Sequence, residues 1–174
     1  MTASSAADPG PAGPEVARAR LARALRDSGR APSPAVQAAF GAVPRHLFLP
    51  GLDPALVYAD DALVIKYDAD GVPVSSSSQP AMMAIMAEQL DLAPGHRVLE
   101  IGTGSGYNAG VLAHIVGPGG SVVTVDIDPD LVAQAQEGLR AAGYPTVRVG
   151  CADGGFGDPG GAPFDRIIVT AGAW

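Results

Sequence analysis

The fold of this chain is decided by the stretch Val98-Leu99-Glu100-Ile101-Gly102-Thr103-Gly104-Ser105-Gly106-Tyr107. Its apolar first half predicts a buried strand, and its glycines predict a tight turn that leads into a helix. Glycines in such a turn let the backbone approach a ligand without a clash from a Cβ atom. The stretch therefore predicts a ligand-binding strand–turn–helix unit, and a tight turn that binds no ligand is the simpler alternative.

The spacing of the glycines indicates which ligand the turn suits. Gly102, Gly104 and Gly106 follow a Gly-x-Gly-x-Gly pattern. A dinucleotide fingerprint requires Gly-x-Gly-x-x-Gly, and its third glycine would fall at Tyr107, so the spacing disfavours a nicotinamide oxidoreductase. Together with Glu100, the pattern resembles the nucleoside-binding loop of S-adenosylmethionine-dependent methyltransferases. A cationic sulfonium ligand has no pyrophosphate to bind and tolerates a nearby carboxylate.

From residue 97 onward, short apolar strands alternate with helices. We predict strands and intervening helices in the order 98–101, 107–116, 121–125, 129–142, 146–149 and 165–170. This alternation predicts an α/β fold with a doubly wound, mainly parallel, Rossmann-like sheet. Right-handed crossovers place the loops after the strands at one edge, where we expect the ligand site. The sequence ends soon after the fourth strand. We therefore expect a core without its last strands, with a naturally short sheet as the alternative.

The sequence divides into three regions. Residues 1–15 are rich in Ala, Ser, Pro and Gly and lack an apolar signal core, which predicts a disordered tail. Residues 16–96 form an N-terminal helical region that ends in a polar serine loop and a buried helix. Within it we predict helices at 16–26, at 34–40 with Ser33 as its N-cap, and at 81–90. We also predict a proline-rich connector at 43–51 and a strand or strand pair at 58–67. Residues 97–174 form the ligand-binding core.

Composition limits the possible partners. The chain has 174 residues, enough for one domain, and a formal charge of −7. This charge argues against a duplex nucleic-acid partner and against an anionic membrane surface. A single cysteine, Cys151, excludes an internal disulfide and a cysteine-rich zinc site, and the three histidines lack metal-ligand spacing. No apolar stretch is long enough to span a bilayer, and we expect a cytoplasmic protein. The cysteine count and the histidine spacing lead us to expect no bound metal.

Carboxylates follow three of the predicted strands, at Glu100, Asp126 and Asp153. Asp126 ends the second strand of the core, where a carboxylate can accept both ribose hydroxyls of a nucleoside. Asp128 is better suited than Asp126 to cap the next helix, because a proline follows it directly. Asp153 is placed to meet an adenine amine, but Asp153-Gly154 is equally typical of a plain turn.

Several further motifs occur in the same order as in protein-L-isoaspartate O-methyltransferases, a family that the chain resembles over nearly all of its length after residue 15. They are Val43-Pro44-Arg45-His46-Leu47-Phe48, Tyr58-Ala59-Asp60, Ser76-Ser77-Ser78-Gln79-Pro80, the glycine loop, Asp153-Gly154, and Ala162-Pro163-Phe164-Asp165-Arg166-Ile167-Ile168-Val169-Thr170. This combination is far more specific than the glycine loop alone.

The resemblance implies transfer of a methyl group from S-adenosyl-L-methionine to a side-chain carboxylate of a protein or peptide, with S-adenosyl-L-homocysteine as product. Ser78 holds the position of the family serine that contacts the acceptor carboxylate, and Ser76 stands where a threonine is usual. The alternative for this run is a helix N-cap at Ser78 within a flexible loop. The resemblance also implies donor binding by Glu100, Gly102, Thr103, Gly104, Gly106, Asp126, Ile127, Asp153 and Gly154.

One departure from the family pattern leaves the acceptor open. The family loop usually continues Ser-Ala-Pro-His, whereas this chain has Ser78-Gln79-Pro80-Ala81. The serine-rich form resembles the actinobacterial branch, some members of which methylate aspartate in ribosomally made peptides such as lanthipeptides. The acceptor is thus isoaspartate in damaged proteins or aspartate in a dedicated peptide. The alternatives are a small-molecule methyltransferase and a non-catalytic module that binds a nucleoside or peptide.

Overall fold

The computed structural model describes residues 13–172. Residues 1–12 of the predicted tail lie outside this range, as do the last two residues of the chain. Helix α1 (Pro14–Asp27) begins two residues earlier than the sequence suggested, and Pro14 occupies its first turn. A proline suits this position because the first helical N–H groups have no partner within the helix. None of the helices in residues 13–172 is long and apolar enough to cross a membrane.

A four-stranded parallel sheet with the order β5-β4-β3-β6 forms the core. Its strands are β3 (Arg97–Ile101), β4 (Ser121–Asp126), β5 (Arg148–Cys151) and β6 (Arg166–Val169). The predicted parallel α/β core is confirmed. Strand β5 begins two residues later than predicted, because the backbone of Val147 still belongs to a turn closed on Tyr144. All four strands end at the same edge, where the glycine loop lies.

Helices of the described residues pack against one face of this sheet. They are α4 (Pro80–Leu90), α5 (Tyr107–Val116) and α6 (Pro129–Ala141), while α2 (Pro34–Ala42) packs on α5 and α1 packs on α2. The side chains of Val98, Val122 and Ile168 enter this core. On the opposite face, Leu99 and its neighbours in β4 form a smaller cluster that packs against Phe164.

The predicted strand or strand pair at 58–67 is a hairpin that lies further along the chain. Strand β1 (Leu63–Tyr67) pairs antiparallel with β2 (Pro73–Ser77). The serine loop prediction is therefore wrong for Ser75–Ser77, which are in a strand. Serines have little intrinsic strand preference, so pairing with β1 overrides the local sequence. A short helix, α3 (Pro54–Val57), precedes the hairpin.

The proline-rich connector holds the N-terminal helices against the core. It contains a short 3-10 helix, Arg45–Phe48. The Phe48 ring packs against α5 and α6 at two glycines, since a Cβ on Gly138 would lie 2.9 Å from the ring and one on Gly110 3.2 Å. These small residues let the connector approach both helices closely. Arg45 lies in the same turn and is completely buried.

Candidate active site

A cavity of about 690 Å³ opens between the β1–β2 hairpin and the carboxyl ends of the sheet strands. Two of its walls come from the segments that the sequence singled out, the serine run and the glycine loop. The predicted site residues that line it are Ser76, Ser78, Glu100, Gly102, Thr103, Gly104, Asp126 and Ile127. Gly106, Asp153 and Gly154 are not among the lining residues. Most of the predicted site therefore shares one cavity.

The charge of the cavity wall distinguishes between ligand classes. Glu100, Asp126 and Asp128 line it, and no lysine, arginine or histidine of residues 13–172 does. A cleft lined by one sign of charge concentrates ligands of the opposite sign. The wall thus suits a cationic nucleoside and disfavours a pyrophosphate-bearing one.

Glu100 is the buried carboxyl beneath the glycine loop. Its Oε2 accepts a hydrogen bond from Thr124 Oγ1 at 2.6 Å, and its Oε1 accepts one from Asn108 Nδ2 at 2.7 Å. Burial raises the pKa of Glu100 to about 7, although both hydrogen bonds oppose the shift. Sequence reasoning did not identify Asn108. Its position two residues after Gly106, at the start of the helix that follows the glycine loop, is the only local signal for it.

Asp126 joins two neighbouring strand ends. Its Oδ2 accepts from the Gly104 N–H at 3.0 Å, and its Oδ1 accepts from the Asp128 N–H at 3.1 Å. Asp128 caps α6 by accepting from the N–H groups of Asp130 and Leu131, as the sequence indicated. Asp126 is thus free of the capping task and directs its carboxylate toward the glycine loop.

The glycines of the loop have different tasks. Gly102, Gly104 and Gly106 all have positive φ angles, of 101°, 51° and 83°. This left-handed region favours glycine. A Cβ on Gly106 would lie 2.8 Å from the Cβ of Ala135, so this glycine permits close contact with α6 rather than lining the cavity. Gly104 faces the hairpin, where a Cβ would lie 3.4 Å from the carbonyl oxygen of Ser76.

Asp153 and Gly154 lie at the adjoining strand end but have local partners. The Asp153 carboxylate accepts from the Gly155 N–H at 2.8 Å and caps a short 3-10 helix, Gly154–Phe156. Gly154 packs against the side chain of Ile101. This geometry is that of the plain turn considered for the sequence. A contact of Asp153 with a nucleoside base stays a prediction.

The serine run places a hydroxyl in the cavity. Within the described part of the chain, the Ser78 hydroxyl has no hydrogen-bond partner, whereas the Ser78 carbonyl accepts from Arg45 Nη2 at 3.0 Å. Gln79, rather than Ser78, is the N-cap residue of α4, and it provides no side-chain cap. The N-cap alternative for Ser78 is therefore wrong, because the helix begins one residue later than that alternative requires.

An ion pair joins the hairpin to the start of α6, beside the cavity. Lys66 Nζ on β1 lies 2.5 Å from Asp128 Oδ2 and 2.9 Å from Asp130 Oδ2, at the start of α6. Both strands of the hairpin and the start of α6 contribute cavity-lining residues. Lys66 was missed in the sequence because nothing local indicates a partner more than sixty residues away.

Known proteins are similar to this chain in sequence and in architecture. The sequence model of the Protein-L-isoaspartate(D-aspartate) O-methyltransferase family matches residues 16–174. The Protein-L-isoaspartate O-methyltransferase of Methanococcoides burtonii is 44% identical over 151 residues, which cover 87% of this chain and 70% of the relative. That of Methanopyrus kandleri is 45% identical over 158 residues, covering 90% and 67%. The chain thus spans about two thirds of the length of these relatives.

Solved structures also match the fold of this chain. A protein-L-isoaspartate O-methyltransferase structure matches with a TM-score of 0.81 and 37% identity, covering 89% of this chain and 48% of its own. The Plasmodium falciparum protein solved with S-adenosyl-L-homocysteine has a TM-score of 0.75 at 20% identity, covering 90% of this chain and 74% of its own, and supports the fold alone. On the family match and the curated relatives, this chain belongs to the protein-L-isoaspartate(D-aspartate) O-methyltransferase family.

Proposed function

We propose that the chain transfers a methyl group from S-adenosyl-L-methionine to the side-chain carboxylate of an isoaspartyl or aspartyl residue in a protein or peptide. The observation that carries this proposal is the cavity wall, which combines three carboxylates, no basic side chain among the described residues, and a free serine hydroxyl. Membership of the family supports the same reaction. A pyrophosphate-bearing cofactor finds no countercharge on this wall.

The donor side of the cavity consists of the glycine loop and the end of β4. Asp126 uses one hydrogen bond on each carboxylate oxygen, so each oxygen retains acceptor capacity for a ribose hydroxyl. When bound, S-adenosyl-L-methionine supplies an electrophilic methyl group on a sulfonium cation. The residues that would hold it are Glu100, Gly102, Thr103, Gly104, Asp126 and Ile127, with Gly106, Asp153 and Gly154 beside them.

The acceptor side consists of the serine run. The Ser78 hydroxyl is available to donate to the acceptor carboxylate, and Ser76 lines the same wall. A carboxyl group with a pKa near ~4 is already ionised at neutral pH, so the reaction needs no general base. Orientation supplies much of the rate when a nucleophile is held in line with its target.

A pair of synthetic peptides tests the proposal. The two share one sequence and differ only in whether the central residue is isoaspartate or aspartate. Incubation with S-adenosyl-L-methionine should add one methylene to one of them, as measured by mass spectrometry, and the modified peptide identifies the acceptor. Labelling of small molecules alone would favour a small-molecule methyltransferase. Binding of S-adenosyl-L-homocysteine without any transfer would favour a non-catalytic module.

A further inference from the structure

Among residues 13–172, Arg45 is the largest side chain that is completely buried, with an exposed fraction of 0%. Its guanidinium forms no ion pair with a carboxylate of residues 13–172. Burial of a charge without a counterion is costly unless hydrogen bonds satisfy the group. The contacts of this guanidinium therefore indicate what its charge supports.

All of its hydrogen bonds reach the two ends of the hairpin. Arg45 Nη1 donates to the Ala59 carbonyl at 3.4 Å, and Nη2 donates to the Asp61 carbonyl at 3.4 Å. Nη2 also donates to the Ser78 carbonyl at 3.0 Å and to Ser77 Oγ at 3.4 Å. Because the guanidinium fork is planar and rigid, it fixes the segment that enters β1 relative to the one that leaves β2.

The same group also reaches the glycine loop. The Arg45 Cζ lies 5.6 Å from the centroid of the Tyr107 ring, and Tyr107 directly follows the last glycine of the loop. Ser105 Oγ donates to Ser77 Oγ at 3.3 Å and accepts from the Tyr107 N–H at 3.4 Å. A continuous set of buried contacts therefore joins the serine run to the loop on the donor side.

We propose that Arg45 is a positioning residue for the acceptor: it fixes the backbone of Ser77 and Ser78 against the glycine loop, so that the Ser78 hydroxyl meets the acceptor carboxylate in line with the donor methyl group. Arg45 does not touch the substrate, because it is completely buried. This inference rests on the proposed function.

A purely structural role has a different signature. Loss of general packing would lower stability, donor affinity and transfer together. The Asp126 contacts that hold the donor loop come from β4 and do not involve Arg45. A positioning role therefore changes the kinetic constants for the acceptor while the affinity for the donor product is retained.

The test uses Arg45→Lys and Arg45→Met, with Phe48→Leu as a matched control. Phe48 lies in the same 3-10 helix, is equally buried and also packs against the Tyr107 ring, but it makes none of the hydrogen bonds to the hairpin. Melting temperature, affinity for S-adenosyl-L-homocysteine, and kcat and KM for the methylated peptide are measured for each. Arg45→Lys should lower kcat/KM for the peptide by about 100-fold, the effect of a displacement of about 1 Å, with unchanged product affinity. Phe48→Leu should lower the melting temperature, and any loss of transfer in this variant should be matched by a loss of product affinity.

Two results would overturn the inference. One is that Arg45→Lys retains the wild-type kcat/KM. The other is that its losses in donor-product affinity and transfer run parallel to those of Phe48→Leu. If Arg45→Met does not fold, Ser77→Ala replaces it, because it removes the hydroxyl that links Arg45 to Ser105. Absence of transfer by the wild-type chain would overturn the proposed function and this inference with it, whereas the two results above leave the function intact.

Discussion

The carboxylate of Asp126 accepts a hydrogen bond from the backbone N–H of Gly104 at 3.0 Å. This bond joins the end of β4 to the loop that follows β3, its neighbour in the parallel sheet. The carboxyl ends of parallel strands meet at one edge of a sheet, and ligands of open α/β folds bind there. An acid and a glycine loop that are separate in the sequence thus form one wall of the cavity.

Removal of the Ser78 hydroxyl tests the acceptor side. Ser78→Ala should lower kcat/KM for the peptide by about 10-fold, since one hydrogen bond to a charged group is lost, while the affinity for S-adenosyl-L-homocysteine stays unchanged. Steady-state kinetics and calorimetry measure the two quantities. Ser121→Ala, at the opposite end of the sheet, is the control. A large loss of product affinity in Ser78→Ala would place the hydroxyl on the donor side instead.

The buried Glu100 predicts a pH-dependent stability. Its pKa is raised from 4.5 to about 7 in the folded chain, so between these values the folded state binds more protons than the unfolded state. Stability therefore falls as pH rises through this window, by about 3 kcal/mol in total. Glu100→Gln replaces the carboxyl group with an amide that does not titrate. This variant should lack the decrease in stability in chemical denaturation experiments between pH 4.5 and 8.

The control for this experiment is Glu137→Gln, on the exposed side of α6. It should keep the pH dependence of the wild type. Equal pH profiles for Glu100→Gln and the wild type would mean that Glu100 is ionised in the folded chain, so that its two hydrogen bonds outweigh its burial.

The ion pair of Lys66 predicts an effect on the rate of donor-product release. Lys66→Met removes the contact with Asp128 and Asp130, and the hairpin should open more readily. We expect dissociation of S-adenosyl-L-homocysteine to be about two- to five-fold faster in stopped-flow measurements at low salt, with the difference decreasing as salt is added. Arg148→Met breaks an ion pair with Asp158 elsewhere and should leave the rate unchanged. A salt-independent effect would argue against an electrostatic fastening.

The acidic wall predicts an order of binding. An acceptor carboxylate meets the charges of Asp126 and Asp128, and of Glu100 where it is ionised, unless the donor cation is already present. The affinity for an isoaspartyl peptide should be at least about five-fold higher in the presence of sinefungin, which has an amine in place of the sulfonium, than with the uncharged thioether S-adenosyl-L-homocysteine. Calorimetry gives both values. Equal affinities with both ligands would show that the wall does not repel the acceptor.

Local signals predicted much of the fold and the donor side of the site. The glycine loop, the parallel strands and the caps Ser33 and Asp128 are encoded within a few residues each, and the structure has all of them. The proline that follows Asp128 indicated that Asp128, rather than Asp126, caps α6. These features depend on backbone conformation and hydrogen bonds between near neighbours, which short sequence patterns specify.

The rest depends on contacts between distant segments. Ser75–Ser77 form a strand because β1 pairs with them, and burial of Arg45 is possible because carbonyl oxygens from two distant segments accept its hydrogen bonds. Neither residue type signals such a partner in the sequence. Asp153 shows the limit of a local signal: the Asp153-Gly154 pair fits both a turn and a ligand contact. In the structure the Asp153 carboxylate accepts from the Gly155 N–H, and its contact with a nucleoside base stays a prediction.

We propose that carboxylates at the strand ends bind a sulfonium nucleoside, and calorimetry with S-adenosyl-L-homocysteine tests this binding most directly. The wild type should bind the ligand at one site, and Asp126→Ala should weaken binding by about 1–3 kcal/mol through lost charged hydrogen bonds. Asp27→Ala, a remote change of the same charge on α1, should bind as the wild type does, and NAD+ should not bind. Unchanged affinity in Asp126→Ala, or tighter binding of NAD+ than of S-adenosyl-L-homocysteine by the wild type, would contradict the account.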